Sequence, residues 1–234
     1  MRVAIIGDYD PQAATHIATG DAILHAAGQL GMSVTFDWVP TENILPQFET
    51  ICNGYDAYWI APGSPYKDFA GVLQIIRYAR EHRVPAIGTC GGFQHMVIEY
   101  ARHVLQLEDA THAEYDPYAS RLVVTPLSCS LVGQTLQIHI RDQHSKAGRS
   151  LQTDQITERY YCNFGLNPDY QTLLHEHGFQ VVGIDAAGEA RILELEGHPF
   201  YVATLFVPQT SSTATHPHPL ISGFLQSIKS QAES

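Results

Sequence analysis

Over its first hundred residues the chain alternates short apolar runs, rich in β-branched and aromatic residues, with longer stretches of helical periodicity. This rhythm limits the possible folds more than any other feature. The runs are Val3–Ile6, Val34–Trp38, Ala57–Ala61 and Ala86–Gly88, and the periodic stretches are Gly20–Leu30, Phe69–Glu81 and Phe93–Leu105. With turn residues at each junction, the pattern predicts βαβ units and an α/β, doubly wound, mostly parallel sheet covered by helices on both faces. From about Arg121 the runs shorten and crowd together: Arg121–Pro126, Thr135–Ile140, Gln180–Asp185, Ala190–Leu195 and Tyr201–Val207. They predict hairpins added to that sheet. A last helix is expected over Ile221–Gln231, and the polar, aperiodic stretch at 141–157 is expected to be a surface loop. No repeat interrupts the pattern, so residues 1–234 are expected to form a single domain.

Composition narrows the partners. The hydrophobic fraction of 44% is enough for a core without staples, and a formal net charge of −11 without any Lys/Arg cluster offers nothing to a phosphate backbone or an anionic membrane. The expectation is a protein without nucleic-acid or membrane partners. The opening "MRVAIIGDYD" enters an apolar strand at once and no later run is long enough to span a bilayer, which predicts a cytoplasmic protein. The four cysteines, Cys52, Cys90, Cys129 and Cys162, show no C-x-x-C spacing and are expected to be reduced thiols. The thirteen histidines are dispersed and none are paired as H-x-x-x-H, so neither a metal nor a cofactor is expected.

In a parallel α/β sheet, reacting groups gather at the carboxyl ends of strands, which is where Cys90 falls, between the run Ala86–Gly88 and the helix that follows. Gly88, Gly91 and Gly92 allow a sharp strand-to-helix turn, and a helix N-terminus favours the thiolate. Cys90 is thus either a nucleophile on an elbow or an inert buried thiol beside a glycine turn. "APGSPY" (61–66) follows another strand and is expected to face the elbow. The N–H of Gly63 or Ser64, with that of Gly91, would then form an oxyanion hole for attack on an amide carbonyl.

These motifs resemble the class I glutamine amidotransferase domain of CTP synthases, over roughly residues 1–230. The elbow "GTCGGFQ" is similar to that family's G-I-C-L-G-M-Q, and "VIEYARHVLQLEDATHAEYDP" follows its helix and acidic loop. "ERYYCNFGLN" stands where the family has E-R-H-R-H-R-Y-E-V-N, and "GHPFYVATLFVPQ" and "HPLISGF" match its N-H-P-W-F-V-A-C-Q-F-H-P-E and H-P-L-F-A-G-F. The resemblance implies that family's flavodoxin-like fold. It also implies a Cys-His-Glu triad, in which His accepts the thiol proton and Glu orients His. Nine residues beyond His198 is Val207, and eleven beyond that is His218, the intervals at which the family repeats His-Pro. By this count the base position is Val207, the orienting carboxylate is Gln209, and His198 matches a first, structural His-Pro pair. In the other alignment His198 is a displaced base whose partner carboxylate has become Phe200.

By the same resemblance Gln94 and Glu114 match positions that hold the glutamine substrate, with Glu114 facing its ammonium group. The arginine-rich stretch that pairs with the substrate carboxylate has become "RYYCN", placing Tyr161 and Asn163 in the pocket, and a neutral amide does not replace a guanidinium. His112, two residues before Glu114, is a candidate replacement base for Cys90, while His95 is expected to point away from it. Three functions stay open. One is a pseudo-glutaminase that binds an amino acid or amine, or regulates a synthetase partner or a homo-oligomer. The second is a Cys90-dependent amidase with a rewired base, acting on a non-glutamine amide. The third is a glutaminase subunit using His198.

Overall fold

Apolar runs with no polar face must be buried on both sides, and the structure, a computed structural model that describes residues 1–232, achieves this by stacking them side by side. The first half runs β1 (Arg2–Ile6), α1 (Ala14–Leu30), β2 (Thr35–Val39), α2 (Phe48–Gly54), β3 (Ala57–Ile60), α3 (Phe69–Glu81), β4 (Ala86–Thr89) and α4 (Gly91–His103). Strands β2, β1, β3 and β4 lie in that order, all parallel. Every residue of β3 and β4 is buried, which accounts for a sequence that is apolar up to the closing Thr89. This is the doubly wound α/β architecture expected from the alternation.

The second half comprises β5 (Thr111–His112), β6 (Leu122–Pro126), β7 (Thr135–Ile140), α5 (Lys146–Leu151), β8 (Gln155–Arg159), β9 (Phe164–Leu166), α6 (Gln171–Glu176), β10 (Phe179–Ile184), β11 (Ala190–Leu195), β12 (Tyr201–Thr204) and α7 (Pro219–Ala232). The main sheet has nine strands in the order β2-β1-β3-β4-β12-β11-β10-β7-β8. Two pairings between the expected runs exist, β10 with β11 and β11 with β12, both antiparallel; β7 pairs antiparallel with β8, a strand not among those runs.

Three expectations need correction. The run Tyr201–Val207 is a strand only over Tyr201–Thr204 and is more than a hairpin arm: besides pairing antiparallel with β11, β12 lies parallel to β4 at the sheet centre. The run Arg121–Pro126 leaves the main sheet, because β6 pairs with β5 and β9 in a separate three-stranded sheet. The stretch 141–157 is not a loop throughout. It contains α5 and the start of β8, and it lacks apolar periodicity because its stabilising contacts come from elsewhere. Ser145 Oγ accepts the Gly148 N–H at 2.8 Å, and Glu194 on β11 accepts the Lys146 and Ala147 N–H groups at 2.7 and 2.9 Å. Strand β8 is an edge strand with alternating exposure, so few of its residues have to be apolar. No helix among the described residues is long and apolar enough to cross a membrane.

Candidate active site

Strand β4 ends at Thr89, and the chain then turns within one residue into α4. Cys90 makes that turn with φ 52° and ψ −107°, a region that side-chain-bearing residues seldom occupy. Its surroundings hold it there. The Cys90 N–H donates to Thr204 O on β12 at 2.9 Å, and the following glycines press against the neighbouring strand and its loop. A Cβ on Gly92 would stand 2.1 Å from Ile60 O, and one on Gly91 would stand 2.7 Å from Gly63 O. The glycines are thus required for the elbow to sit beside β3 and the loop after it.

That loop carries Gly63 and Ser64. Gly63 adopts a positive φ of 101° there, and the backbone N–H groups of Gly91 and Gly63 both help to lower the Cys90 thiol. The loop is pinned from two sides. His16 Nε2–H donates to Pro62 O at 2.9 Å, and the Tyr66 N–H donates to Tyr115 Oη at 2.8 Å. Tyr115 in turn donates to His95 Nε2 at 2.9 Å, and His95 Nδ1–H closes the path on Gly91 O at 2.7 Å. His95 therefore ties the loop after β3, through Tyr115, to Gly91 on the elbow, and both of its ring nitrogens are engaged.

The nearest side-chain partner of Cys90 is another thiol. Cys162, in the irregular connection between β8 and β9, places its Sγ 2.8 Å from Cys90 Sγ and 3.0 Å from Leu205 O. This hydrogen bond is the main reason the Cys90 thiol is held below its ordinary value. Burial opposes it, the Gly91 and Gly63 N–H groups add to it, and Glu114 works against it. Cys162 is pushed well above its ordinary value, first by burial and then by its partner. One S–H cannot serve two acceptors. With Cys90 protonated, its proton lies toward Cys162 and the Cys162 proton lies on Leu205 O; with Cys90 ionised, Cys162 donates to it instead.

A cavity of about 220 Å³ opens beside the two sulfurs, bounded by Gly63, Ser64, Gln94, Glu114, Tyr161, Asn163 and Phe164. Among the described residues Glu114 is the one charged side chain lining it. Its Oε2 is buried and has no hydrogen-bond partner. Gln94 is fixed by a chain of bonds: its Nε2 donates to Phe164 O at 2.9 Å, and its Oε1 accepts from His112 Nε2–H at 3.0 Å. His112 Nδ1 accepts the Glu114 N–H at 2.9 Å, so both ring nitrogens are engaged and neither is free to take a proton from Cys90. Burial, reinforced by His95, pushes His112 down to about 3. Asn163 Oδ1 accepts from Ser130 Oγ at 2.7 Å.

The remaining positions from the sequence fall into two groups. Val207 and Gln209 lie just beyond β12, at the same end of the sheet as Cys90, and both are buried. Gln209 Nε2 contacts Thr19 Oγ1 and Thr89 Oγ1 at 3.3 Å each, and its Oε1 has no partner. His198 precedes β12, whose Tyr201 pairs with Ala86 at the start of β4, whereas Cys90 follows the end of β4. It therefore sits at the opposite end of the sheet. Its Nε2–H donates to Ala79 O at 3.2 Å and its Nδ1 accepts the Phe200 N–H at 3.3 Å. Among the described residues no group of three or more His, Cys, Asp or Glu side chains is placed to hold a metal ion. The functional residue that sequence reasoning misses is Cys162. The stretch "RYYCN" stands out for its lost arginines, but nothing local marks a thiol that meets another 72 residues away.

A sequence model of the family described as "Glutamine amidotransferase class-I" matches residues 16–227. The chain is 32% identical to CTP synthase of Prochlorococcus marinus, a match that takes in 100% of this chain and 44% of that protein. It is 31% identical to CTP synthase of Thermococcus kodakarensis, over 98% of this chain and 45% of the relative. It thus spans less than half the length of the curated relatives it matches. Among solved structures, the glutaminase domain of Trypanosoma brucei CTP synthase with bound acivicin superimposes with a TM-score of 0.88 at 21% identity, covering 98% of this chain and 94% of that one. The two chains share one fold.

Proposed function

The chain belongs to the class-I glutamine amidotransferase family, and from that premise we propose that it is a pseudo-glutaminase: a module that binds a small amino compound beside Cys90 without turning over glutamine. One observation carries this reading. The side-chain partner of the Cys90 sulfur is the Cys162 thiol, where a cysteine hydrolase needs an imidazole to take and return a proton. The family's base and carboxylate fall on Val207 and Gln209, and His112 and His198 are committed to other partners. The cavity favours a cation. Glu114 offers a buried, unpartnered oxygen, and no lining guanidinium or ammonium among the described residues would pair with a ligand carboxylate. The ligand class is therefore an amine, or an amino compound whose carboxylate is missing or masked. Relatives carry this domain within chains more than twice as long, so the reading extends to a regulatory module acting beside a synthetase.

The test is a ligand screen by thermal unfolding, with ammonia release measured in parallel. A ligand at a hundredfold its Kd stabilises by about 2.7 kcal/mol. Stabilisation by amines with no ammonia from glutamine is the expected result. Ammonia release that vanishes in Cys90→Ala would refute it.

A second reading is favoured by the glycine-built elbow that sets Cys90 against the Gly63 loop and by the lowered Cys90 thiol. In that reading Cys90 attacks a neutral amide, and Cys162 holds the proton that the leaving amine takes. Hydrolysis of simple primary amides, lost in both Cys90→Ala and Cys162→Ala, would select it.

A further inference from the structure

Two buried thiols that touch inside a cavity are chemically different from either alone. We propose that Cys90 and Cys162 form a two-thiol modification site that hydroperoxides close to a disulfide. Three features of the pair support it. The sulfurs are 2.8 Å apart, and a disulfide needs only a further approach of roughly 0.8 Å. Both line the same cavity, and Cys90, at 9% exposure, is more open to solvent than Cys162 at 2%. A small oxidant therefore meets Cys90 first. Cys162 is in contact already, so the second step needs no approach from outside.

In the first step the Cys90 thiolate attacks one oxygen of the hydroperoxide. The O–O bond breaks, and Cys90 becomes a sulfenic acid while the alkoxide or hydroxide leaves and takes up the proton that Cys90 gave to solvent on ionising. Cys162 sulfur then attacks the sulfenic sulfur. The S–S bond forms, the S–O bond breaks, and the hydroxyl departs with the Cys162 proton as water. The hydroperoxide is reduced, and the two thiols lose two electrons. Two equivalents of an external thiol reverse the reaction and are themselves oxidised to a disulfide.

Closure has a consequence for the site. The Cys90 sulfur becomes committed to Cys162, so it is no longer a free nucleophile at the cavity wall. The same pair that withholds a base from Cys90 thus offers a reversible block of the cavity. This holds whatever the cavity binds.

The experiment treats the reduced full chain with hydrogen peroxide, quenches it with an alkylating agent, and reads intact mass and non-reducing peptide maps. The expected result is a loss of two hydrogens and a Cys90–Cys162 cross-linked peptide, formed before Cys52 or Cys129 is modified and reversed by dithiothreitol. Cys129→Ser should behave as the unaltered chain. Cys162→Ser should instead stop at a sulfenic acid on Cys90 that dimedone traps. Oxygen addition at Cys90 without the cross-link in the unaltered chain, or cross-links through Cys52 or Cys129 first, would overturn the proposal. Because the readout is mass, its failure leaves the amine-binding reading untouched, and a failed ligand screen leaves this one untouched.

Discussion

A buried thiol ordinarily resists ionisation, because the charged form loses its hydration. Cys90 departs from that rule through its contacts, the Cys162 S–H foremost and the two backbone N–H groups next. Since its folded value is lowered, the midpoint of Cys90 alkylation against pH should lie below that of an ordinary thiol, and the rate should fall as pH drops through it. In Cys162→Ala the largest lowering contact is gone, so the midpoint of the rate profile against pH should move up and labelling at pH 7 should slow. Iodoacetamide kinetics followed by peptide mapping test this, and an unmoved midpoint would count against it. Glu114 supports a separate prediction. Its Oε2 has no partner within the protein, so Glu114→Gln should leave the unfolding temperature of the free protein nearly unchanged while abolishing stabilisation by amines. Equal amine shifts in both proteins would exclude Glu114 as the recognition group.

At the scale of elements, the β4–elbow–α4 unit depends on the absence of side chains at its bend. Gly92→Ala places a methyl group 2.1 Å from Ile60 O, a backbone atom that cannot rotate away. The substitution is expected to cost roughly 1–3 kcal/mol or more, read as a lower midpoint in urea unfolding. Fast labelling of Cys90 should fall with it, since the elbow must shift. The same unit is legible in the sequence, because an apolar run, a glycine-flanked cysteine and a helical period are all local signals. Helix α5 and strand β8 are not. The first is satisfied by a Glu194 carboxylate on another strand, and the second is an exposed edge that needs few apolar residues.

For the whole molecule, the core has consequences for acid stability. His95, His112 and His198 are buried, and burial first of all holds them at about 4, about 3 and about 4. In the unfolded chain the same rings titrate near 6.5, so below that pH the unfolded state takes up protons that the folded state refuses. The histidine contribution is thus fully present above pH 6.5 and is lost as pH falls toward the folded values. Denaturant unfolding at pH 7.5 and pH 5 should differ by about 1–2 kcal/mol for each ring, and equal stabilities would rule this out. The parallel sheet and the glycine-flanked turn at Cys90 were determined by sequence, because periodicity and motif spacing act along the chain. Tertiary structure alone decided that Cys162 meets Cys90, that both His112 nitrogens are occupied, and that His198 lies at the far end of the sheet. Those facts depend on strand order, above all on β12 returning beside β4, and contacts between crossovers leave no periodic trace in the residues that make them.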